Sequence, residues 1–243
     1  MVTTADTFSD PGAAEVHHDH RDVTGGWLRP AVFGVMDGLV SNVSLIAGVS
    51  GGGASPHTIA LTGLAGLIAG AVSMATGEYT SVSSQTELTR AEIAVEKREI
   101  AQRPDAERTE LTELYISRGV EPELARRVVE QLSQDPEQTW RIHAREELGV
   151  DPDDLPSPWT AASSSFAAFA VGAILPLLPY LLGASALWAS AILSAVGLFV
   201  AGALVSRFTS RGWLYSGLRQ LALGALAAAV TYGIGRAVGV GLG

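Results

Sequence analysis

The 243-residue sequence predicts an all-α polytopic membrane protein, with five transmembrane helices and a small cytoplasmic helical domain inserted between the second and third. Apolar stretches of about 20 residues, long enough to cross a hydrocarbon core of roughly 30 Å as a helix, occur five times. Charged residues are segregated, because residues 84–158 hold 18 of the 25 acidic and 10 of the 16 basic side chains. Residues 159–243 contain no acidic residue. A uniform soluble globule is therefore excluded.

Composition also excludes several classes of site and partner. Without cysteine, the chain has no disulfide scaffold, no cysteine-ligated zinc or iron–sulfur cluster and no cysteine nucleophile. A net charge of −9 and a pI near 5.0 argue against a nucleic-acid partner, which requires a basic surface. An acidic excess concentrated in one segment favours cations as partners instead.

The N-terminal part of the chain is predicted to comprise a tail and two spans. Residues 1–26 have few large apolar side chains and are expected to form a flexible tail. Residues 27–83 contain the first two spans, Pro30–Val49 and about Thr58–Val82, joined by the uncharged linker Ser50–His57.

Residues 84–158 are predicted to form the cytoplasmic helical domain. The second helix should continue beyond the membrane, because no glycine or proline occurs before Pro104. Asp105 is expected to cap a short helix and Pro122 to begin the next, while Asp135 and Pro136 provide an N-cap and a first-turn proline for the last. Residues 159–243 then contain three further spans: Trp159–Leu182, Ser185–Ser206 and Trp213–Gly235.

The distribution of basic residues predicts the orientation. Cytoplasmic loops carry an excess of lysine and arginine, and here the basic residues nearest the spans precede helix 1, follow helix 2 or join helices 4 and 5: Arg21, Arg29, Arg90, Lys97, Arg98, Arg207 and Arg211. The N-terminus and residues 84–158 are therefore expected in the cytoplasm, and the C-terminus outside. Helices rich in alanine and glycine, with no organelle signal, favour a plasma (inner) membrane.

A carboxylate lies inside the first predicted span. Placing Asp37 there costs about 2.5–3.5 kcal/mol, so the side chain needs a partner or a function. Ser41 follows one turn later on the same helical face. The pair is consistent with a cation or proton site, and alternatively with a protonated aspartate hydrogen-bonded across the bundle.

Met74 and Glu78 lie one turn apart on the second helix. A thioether beside a carboxylate suits a soft or borderline divalent metal better than Ca²⁺ or Mg²⁺. The alternative is that Met74 packs against other helices and Glu78 marks the membrane boundary.

Acidic residues recur at helical spacing in residues 84–158. Stripes on facing helices could hold a cluster of divalent ions, whereas the usual interpretation of such a pattern is a solvated acidic face. The candidate ligands are Glu96, Glu99, Glu107, Glu110, His143 and Glu147.

Four segments resemble the vacuolar iron transporter family, in order and over about residues 17–240: MDGLVSNVSLIAGVSG, AGAVSMATGEYTSVSSQ, LPLLPY and LRQLALGALAAAVTYGIG. The resemblance, to a bacterial-type member, implies a dimeric five-helix antiporter that exchanges divalent metal for protons. Such proteins move Fe²⁺, and often Mn²⁺, out of the cytosol and are not enzymes. No cofactor beyond the bound ions is implied.

Matching positions assign roles by resemblance. Asp37 and Met74 align with transport residues, and five glutamates align with ligands of the family's cytoplasmic domain: Glu96, Glu99, Glu107, Glu110 and Glu147. His143 replaces a methionine ligand, and an imidazole suits Fe²⁺, Mn²⁺ or Zn²⁺. Gly66 stands where plant-type members have a glutamate, and Glu78 offers a carboxylate at another depth.

The sequence thus predicts a proton-coupled exporter of Fe²⁺ and/or Mn²⁺ for metal homeostasis, acting as a homodimer. Ions would pass from the acidic domain, past Glu78 and Met74, to Asp37. One alternative is a membrane-anchored metal sensor or buffer. The other is a di-iron carboxylate oxidase, whose Glu-x-x-His motif occurs here once, at Glu15–His18.

Overall fold

The computed structural model describes residues 26–183, 187–208 and 211–241, and these contain helices and no strands. The α-helices are α1 (Leu28–Gly51), α2 (Pro56–Gln102), α3 (Pro104–Ser117), α4 (Pro122–Leu132), α5 (Pro136–Glu146), α6 (Pro158–Leu181), α7 (Leu187–Val205) and α8 (Trp213–Gly241), with a short 3₁₀ turn at Ser206–Phe208. Apart from Gly26, the predicted tail over residues 1–26 lies outside the described residues.

Five helices, α1, α2, α6, α7 and α8, are long and apolar enough to cross a membrane. The prediction of an all-α protein with five spans is therefore confirmed. The second span is part of one uninterrupted helix of 47 residues that extends well beyond the apolar stretch, as the lack of glycine and proline predicts.

Four of the eight α-helices in the described residues begin by the same local rule. Ser55, Glu121, Asp135 and Ser157 each accept a hydrogen bond from a backbone N–H in the first turn, and each precedes a proline at the first helical position. The start of α3 differs from the prediction. Because Pro104 itself occupies the first turn, Arg103 is the N-cap, and Asp105 lies inside the helix beside Arg108.

Helix α1 lies at the centre of the membrane region and contacts the four other spans. Glycines permit the close approach, since a Cβ at Gly38 would collide with the Phe169 carbonyl oxygen of α6. A Cβ at Gly235 of α8 would likewise collide with the Gly48 carbonyl oxygen of α1. By contrast, the spans of α2 and α8 bury few of their side chains within the single chain.

The second half of α2 and helices α3–α5 form a separate small core, here called the polar segment (residues 84–158). Leu111, Val129 and Ala144 are fully buried in it. Arg118 near the end of α3 pairs with Glu146 at the end of α5, which fixes these helix ends relative to each other. The inward faces of α2, α3 and α5 consequently meet.

Candidate metal centre and membrane pathway

Helices α2, α3 and α5 bring four titratable side chains together inside the polar segment. Glu96 lies on α2, Glu107 in the first turn of α3, His143 in the last turn of α5 and Glu147 directly after it. Glu96 and Glu107 are 7% exposed and His143 is completely buried. His143 Nδ1 lies 2.9 Å from Glu147 Oε1, 3.0 Å from Glu96 Oε1 and 3.9 Å from Glu107 Oε2. We call these four residues the Glu/His cluster.

Hydrogen bonds within the protein do not satisfy the Glu/His cluster. Nδ1 of His143 can carry only one hydrogen, and it is placed to donate to Glu147 Oε1. Glu96 Oε1, although buried and close to the same nitrogen, has no hydrogen-bond partner, and neither does His143 Nε2. A buried acceptor without a donor costs roughly 1–3 kcal/mol. Two carboxylates around one imidazole nitrogen form a donor set that suits Fe²⁺, Mn²⁺ or Zn²⁺.

The electrostatics of the Glu/His cluster also favour a bound cation. Burial, together with the charges of Glu147 and Glu107 and the more distant Glu99 and Glu110, raises the pKa of Glu96 to about 7. Burial likewise raises the pKa of Glu107 and of Glu147 and lowers that of His143. Without a bound ion, the carboxyl groups and the imidazole of the cluster therefore favour their neutral forms. A divalent cation would favour the ionised carboxylates instead.

Two predicted ligands, Glu99 and Glu110, lie outside the Glu/His cluster. Glu99 and Glu110 are exposed, and they act on Glu96 as neighbouring charges. Among the described residues, neither forms an ion pair with His143. Glu113, three residues after Glu110 on α3, lines a different cavity beside Arg126. Helical spacing alone does not distinguish glutamates that face the cluster from those that face solvent.

In the membrane region, Ser41 donates a hydrogen bond of 2.7 Å to Asp37 Oδ1. Within the described residues this is the one side-chain hydrogen bond of Asp37. Its donor belongs to α1 itself and not to another helix of the bundle. Asp37 is partly exposed and Ser41 is exposed in the single chain. The predicted pair on one face of α1 is thus present in the structure and is not covered by another helix of the chain.

Met74 packs against a small cluster of Ala71, Phe169 and Ala173, so it is a packing residue in this conformation. Glu78 is partly buried one turn further along α2. Among the described residues, no hydrogen bond or ion pair connects Asp37 with Met74 or Glu78. The structure therefore does not join the four predicted pathway residues into one site within a single chain.

Asn42 interrupts the apolar run of the first span, is buried in the structure, and was not among the predicted site residues. Its Nδ2 donates to the Ala173 carbonyl oxygen at 2.5 Å, and its Oδ1 has no partner. A Cβ at Gly66 would lie 3.3 Å from that Oδ1, whereas Glu78 is about 18 Å further along α2. The polar group at the level of Gly66 is therefore Asn42. Its position inside an apolar run is the feature of the sequence that could have identified it.

Comparison with known proteins identifies the family of this chain. The sequence model of the VIT family matches residues 28–236, a range that includes every predicted site residue. The chain belongs to the VIT family. It is 32% identical over 239 residues to vacuolar iron transporter 1 of Oryza sativa subsp. japonica, covering 95% of this chain and 94% of that protein.

Two other VIT relatives show the same extent of similarity. Vacuolar iron transporter 1 of Arabidopsis thaliana is 32% identical over 229 residues, or 91% of this chain and 90% of that protein. The vacuolar iron transporter of Acanthamoeba castellanii is 36% identical over 217 residues, or 87% and 78%. The resemblance is confirmed, and so is the prediction that this chain is a transporter and not an enzyme. The motif Glu15–His18 lies outside the described residues.

Proposed function

We propose that this VIT-family chain is a proton-coupled transporter of Fe²⁺ and/or Mn²⁺ that exports metal from the cytoplasm for iron and manganese homeostasis. The observation that supports it best is the buried Glu/His cluster, in which Glu96 and Glu147 compete for one nitrogen of His143. Relatives named vacuolar iron transporters support a divalent metal as cargo.

The Glu/His cluster would collect ions at the cytoplasmic side of the membrane. Carboxylates bind metal in their ionised form, so a metal ion entering the cluster displaces a proton from Glu96, whose pKa of about 7 keeps it partly protonated near neutral pH. The acidic surface around it, including Glu99 and Glu110, would raise the local concentration of cations.

From the cluster, α2 leads into the membrane past Glu78 to Met74, and Asp37 with Ser41 lies on the neighbouring span α1. Asp37 must be ionised to bind a divalent cation and protonated to return without one. This alternation would couple the two fluxes.

A homodimer would cover the polar side chains that a single chain exposes in the membrane. Asp37 of α1 is partly exposed and Ser73 of α2 is exposed in the structure, and a carboxylate or hydroxyl group facing hydrocarbon is unfavourable unless it finds partners. We therefore place the interface, and the metal pathway, along α1 and α2 of two copies.

Basic residues near the span ends support an N-terminus and polar segment in the cytoplasm, with the C-terminus outside. The relatives are named for the vacuole, whereas the composition of this chain favours a plasma (inner) membrane. Epitope accessibility at each terminus in sealed cells and vesicles tests the orientation.

The transport proposal is tested by metal flux into proteoliposomes that contain a metal-sensitive dye and a lumenal pH indicator. Fe²⁺ and Mn²⁺ are offered to the wild type and to Asp37→Asn, with Asp105→Asn as a matched control in an exposed position. We expect metal entry with opposite proton movement in the wild type and the control, and neither in Asp37→Asn. Stoichiometric metal binding without flux in the wild type would instead identify a sensor or buffer.

A further inference from the structure

We propose that a groove of about 590 Å³ between α1, α6 and α7 holds an acyl chain of an anionic phospholipid, whose phosphate group binds Arg207 and Arg211 just after α7. The inference goes beyond metal transport and does not depend on the identity of the cargo. We call this site the lipid groove, and the lining residues that matter here are Trp27, Val35, Leu39, Ala167, Val171 and Leu204.

The lipid groove occupies one half of the membrane region. On α1 it runs from Trp27 to Leu39, about 18 Å along the helix axis, and on α6 from Ser164 to Leu175, about 17 Å. A hydrocarbon core of roughly 30 Å leaves about 15 Å for each leaflet. A phospholipid with its headgroup at the membrane surface therefore has the reach to lay one chain along the whole groove.

The walls of the groove are apolar and concave. Leu39 and Ala201 are buried at its floor, whereas Val171, Val200 and Leu204 are exposed at its rim. Acyl chains are as apolar as leucine, so burial of apolar surface alone selects no ligand in a membrane, and close packing does. A chain in the groove contacts three helices, whereas a chain on a convex helix surface contacts one.

Two of these walls are held in a fixed relation to each other. Ser164 Oγ of α6 donates a hydrogen bond of 2.8 Å to the Trp27 carbonyl oxygen at the start of α1. A Cβ at Gly34 or at Gly38 of α1 would collide with a backbone carbonyl oxygen of α6, which shows how closely these helices pack. A preformed groove needs little ordering to accept a ligand, and this lowers the cost of binding.

Positive charge lies at one end of the groove. Arg207 follows the lining residues Leu204 and Val205, and Arg211 comes four residues later; both arginines are exposed. Residues 159–243 contain no acidic residue, and in the part of the chain that the structure describes Arg211 forms no ion pair with a carboxylate. Guanidinium groups bind phosphate through paired N–H donors. An anionic headgroup therefore complements this end of the groove.

The proposed homodimer leaves the groove open. Asp37 and Ser41, on the side of α1 assigned to the interface, each lie two residues after a groove residue, Val35 or Leu39, which is about 200° around the helix. Lipid is consequently the neighbour that the groove meets. With the orientation proposed above, the arginines face the cytoplasmic leaflet, where anionic lipids are found, although the binding test does not depend on this orientation.

The test is native mass spectrometry of the full chain in detergent with added phospholipid. Dioleoyl phosphatidylglycerol is anionic, and dioleoyl phosphatidylcholine has the same chains with a zwitterionic headgroup. We expect one phosphatidylglycerol per chain at low lipid concentration, bound roughly tenfold more tightly than phosphatidylcholine. Glycerol 3-phosphate, which has a phosphate and no acyl chain, should not compete, because the chain in the groove holds the lipid.

Variants separate the groove from general surface charge. Arg207→Gln should weaken phosphatidylglycerol binding roughly fivefold, as expected for one basic residue at an anionic surface. Ala167→Trp fills the groove from an exposed lining position and should remove the tight site. The controls are Arg219→Gln, an exposed arginine in the same half of the membrane region, and Ala222→Trp, which like Ala167 is exposed and lies nine residues after the first residue of its helix. Neither control residue lines the groove, and neither change should affect binding.

Several outcomes would overturn the inference: equal affinity for the two phospholipids, tight binding that survives Ala167→Trp, or an equal loss in Arg207→Gln and Arg219→Gln. Light scattering of the same samples detects a different occupant, since a dimer that dissociates in Ala167→Trp would place a second copy of the chain in the groove and exclude the lipid. Helical circular dichroism verifies that each variant is folded. If Ala167→Trp does not fold, the comparison of the two phospholipids and the two arginine variants still decides the inference.

Discussion

Replacing Glu96 with glutamine should have opposite effects on stability and on metal binding. In the metal-free protein, the Glu96 pKa of about 7 lies roughly 2.5 units above its ordinary value of 4.5. At about 1.4 kcal/mol per unit, the ionised side chain opposes folding by about 3 kcal/mol near pH 8. Glu96→Gln removes this charge while keeping the shape of the side chain, so it should stabilise the metal-free protein at that pH.

The sign of the pH dependence follows from the raised pKa. A carboxyl group with a raised folded-state pKa contributes stability that is complete below its unfolded value and is lost as the pH rises through the folded value. Wild-type protein without metal should therefore lose stability between about pH 4.5 and pH 7, and Glu96→Gln should lose less. Meanwhile Mn²⁺ affinity should fall at least tenfold in the variant, since even outer partners of metal ligands contribute that much.

The assay is thermal unfolding of the purified protein in detergent, followed by the loss of helical circular dichroism, at about pH 5 and pH 8, with and without Mn²⁺. Glu92→Gln is the matched control, because Glu92 lies one turn earlier on α2 and is exposed. A metal-free Glu96→Gln protein that is less stable than the wild type at pH 8, or one with unchanged Mn²⁺ affinity, would refute the electrostatic reasoning.

Two further predictions follow from the same structure. Mn²⁺ affinity of the wild type should rise by up to about tenfold per pH unit between roughly pH 5.5 and pH 7, because Glu96 must lose its proton to bind the ion. Isothermal titration calorimetry in buffers of different ionisation enthalpy measures the released proton. An Mn²⁺ affinity that does not change with pH would contradict this prediction. Gly235→Ala should destabilise the bundle by roughly 1–3 kcal/mol, since its Cβ meets the Gly48 carbonyl oxygen. Gly233→Ala on the same helix should be tolerated, because the space around its Cβ is open. Size-exclusion profiles and melting temperatures compare the two variants. Equal stability of both would contradict the close packing of α1 and α8.

The number and type of the helices could be predicted from the sequence because their causes are local. Apolar length determines the spans, and a serine, aspartate or glutamate before a proline determines four helix starts, as at Ser55 and Pro56. Asp105 shows the limit of this reasoning. An aspartate favours the N-cap and a proline favours the first turn, and because Pro104 occupies the first turn, Asp105 lies inside the helix.

The candidate site was less predictable because it depends on which helix faces meet. Helical spacing did not indicate that Glu96 and His143 both point into one core. Nor did it indicate that Glu99, three residues after Glu96, remains exposed. Asn42 is similar: its unpartnered Oδ1 becomes apparent only when α1 packs against α2 and α6. Tertiary packing, and not local pattern, decides these cases.

The unbroken helix α2 connects Met74 in the membrane region with Glu96 in the Glu/His cluster. The two residues are about 33 Å apart along a single rod, which therefore acts as a lever. A tilt of about 10° around Met74 would swing Glu96 by about 6 Å, twice its 3.0 Å distance from His143. If α3 and α5 stay behind during such a tilt, the cluster loses a ligand; if they follow, the whole polar segment moves as one body. In the first case the angle of one span would determine whether metal is held, and in the second it would determine where the bound metal lies.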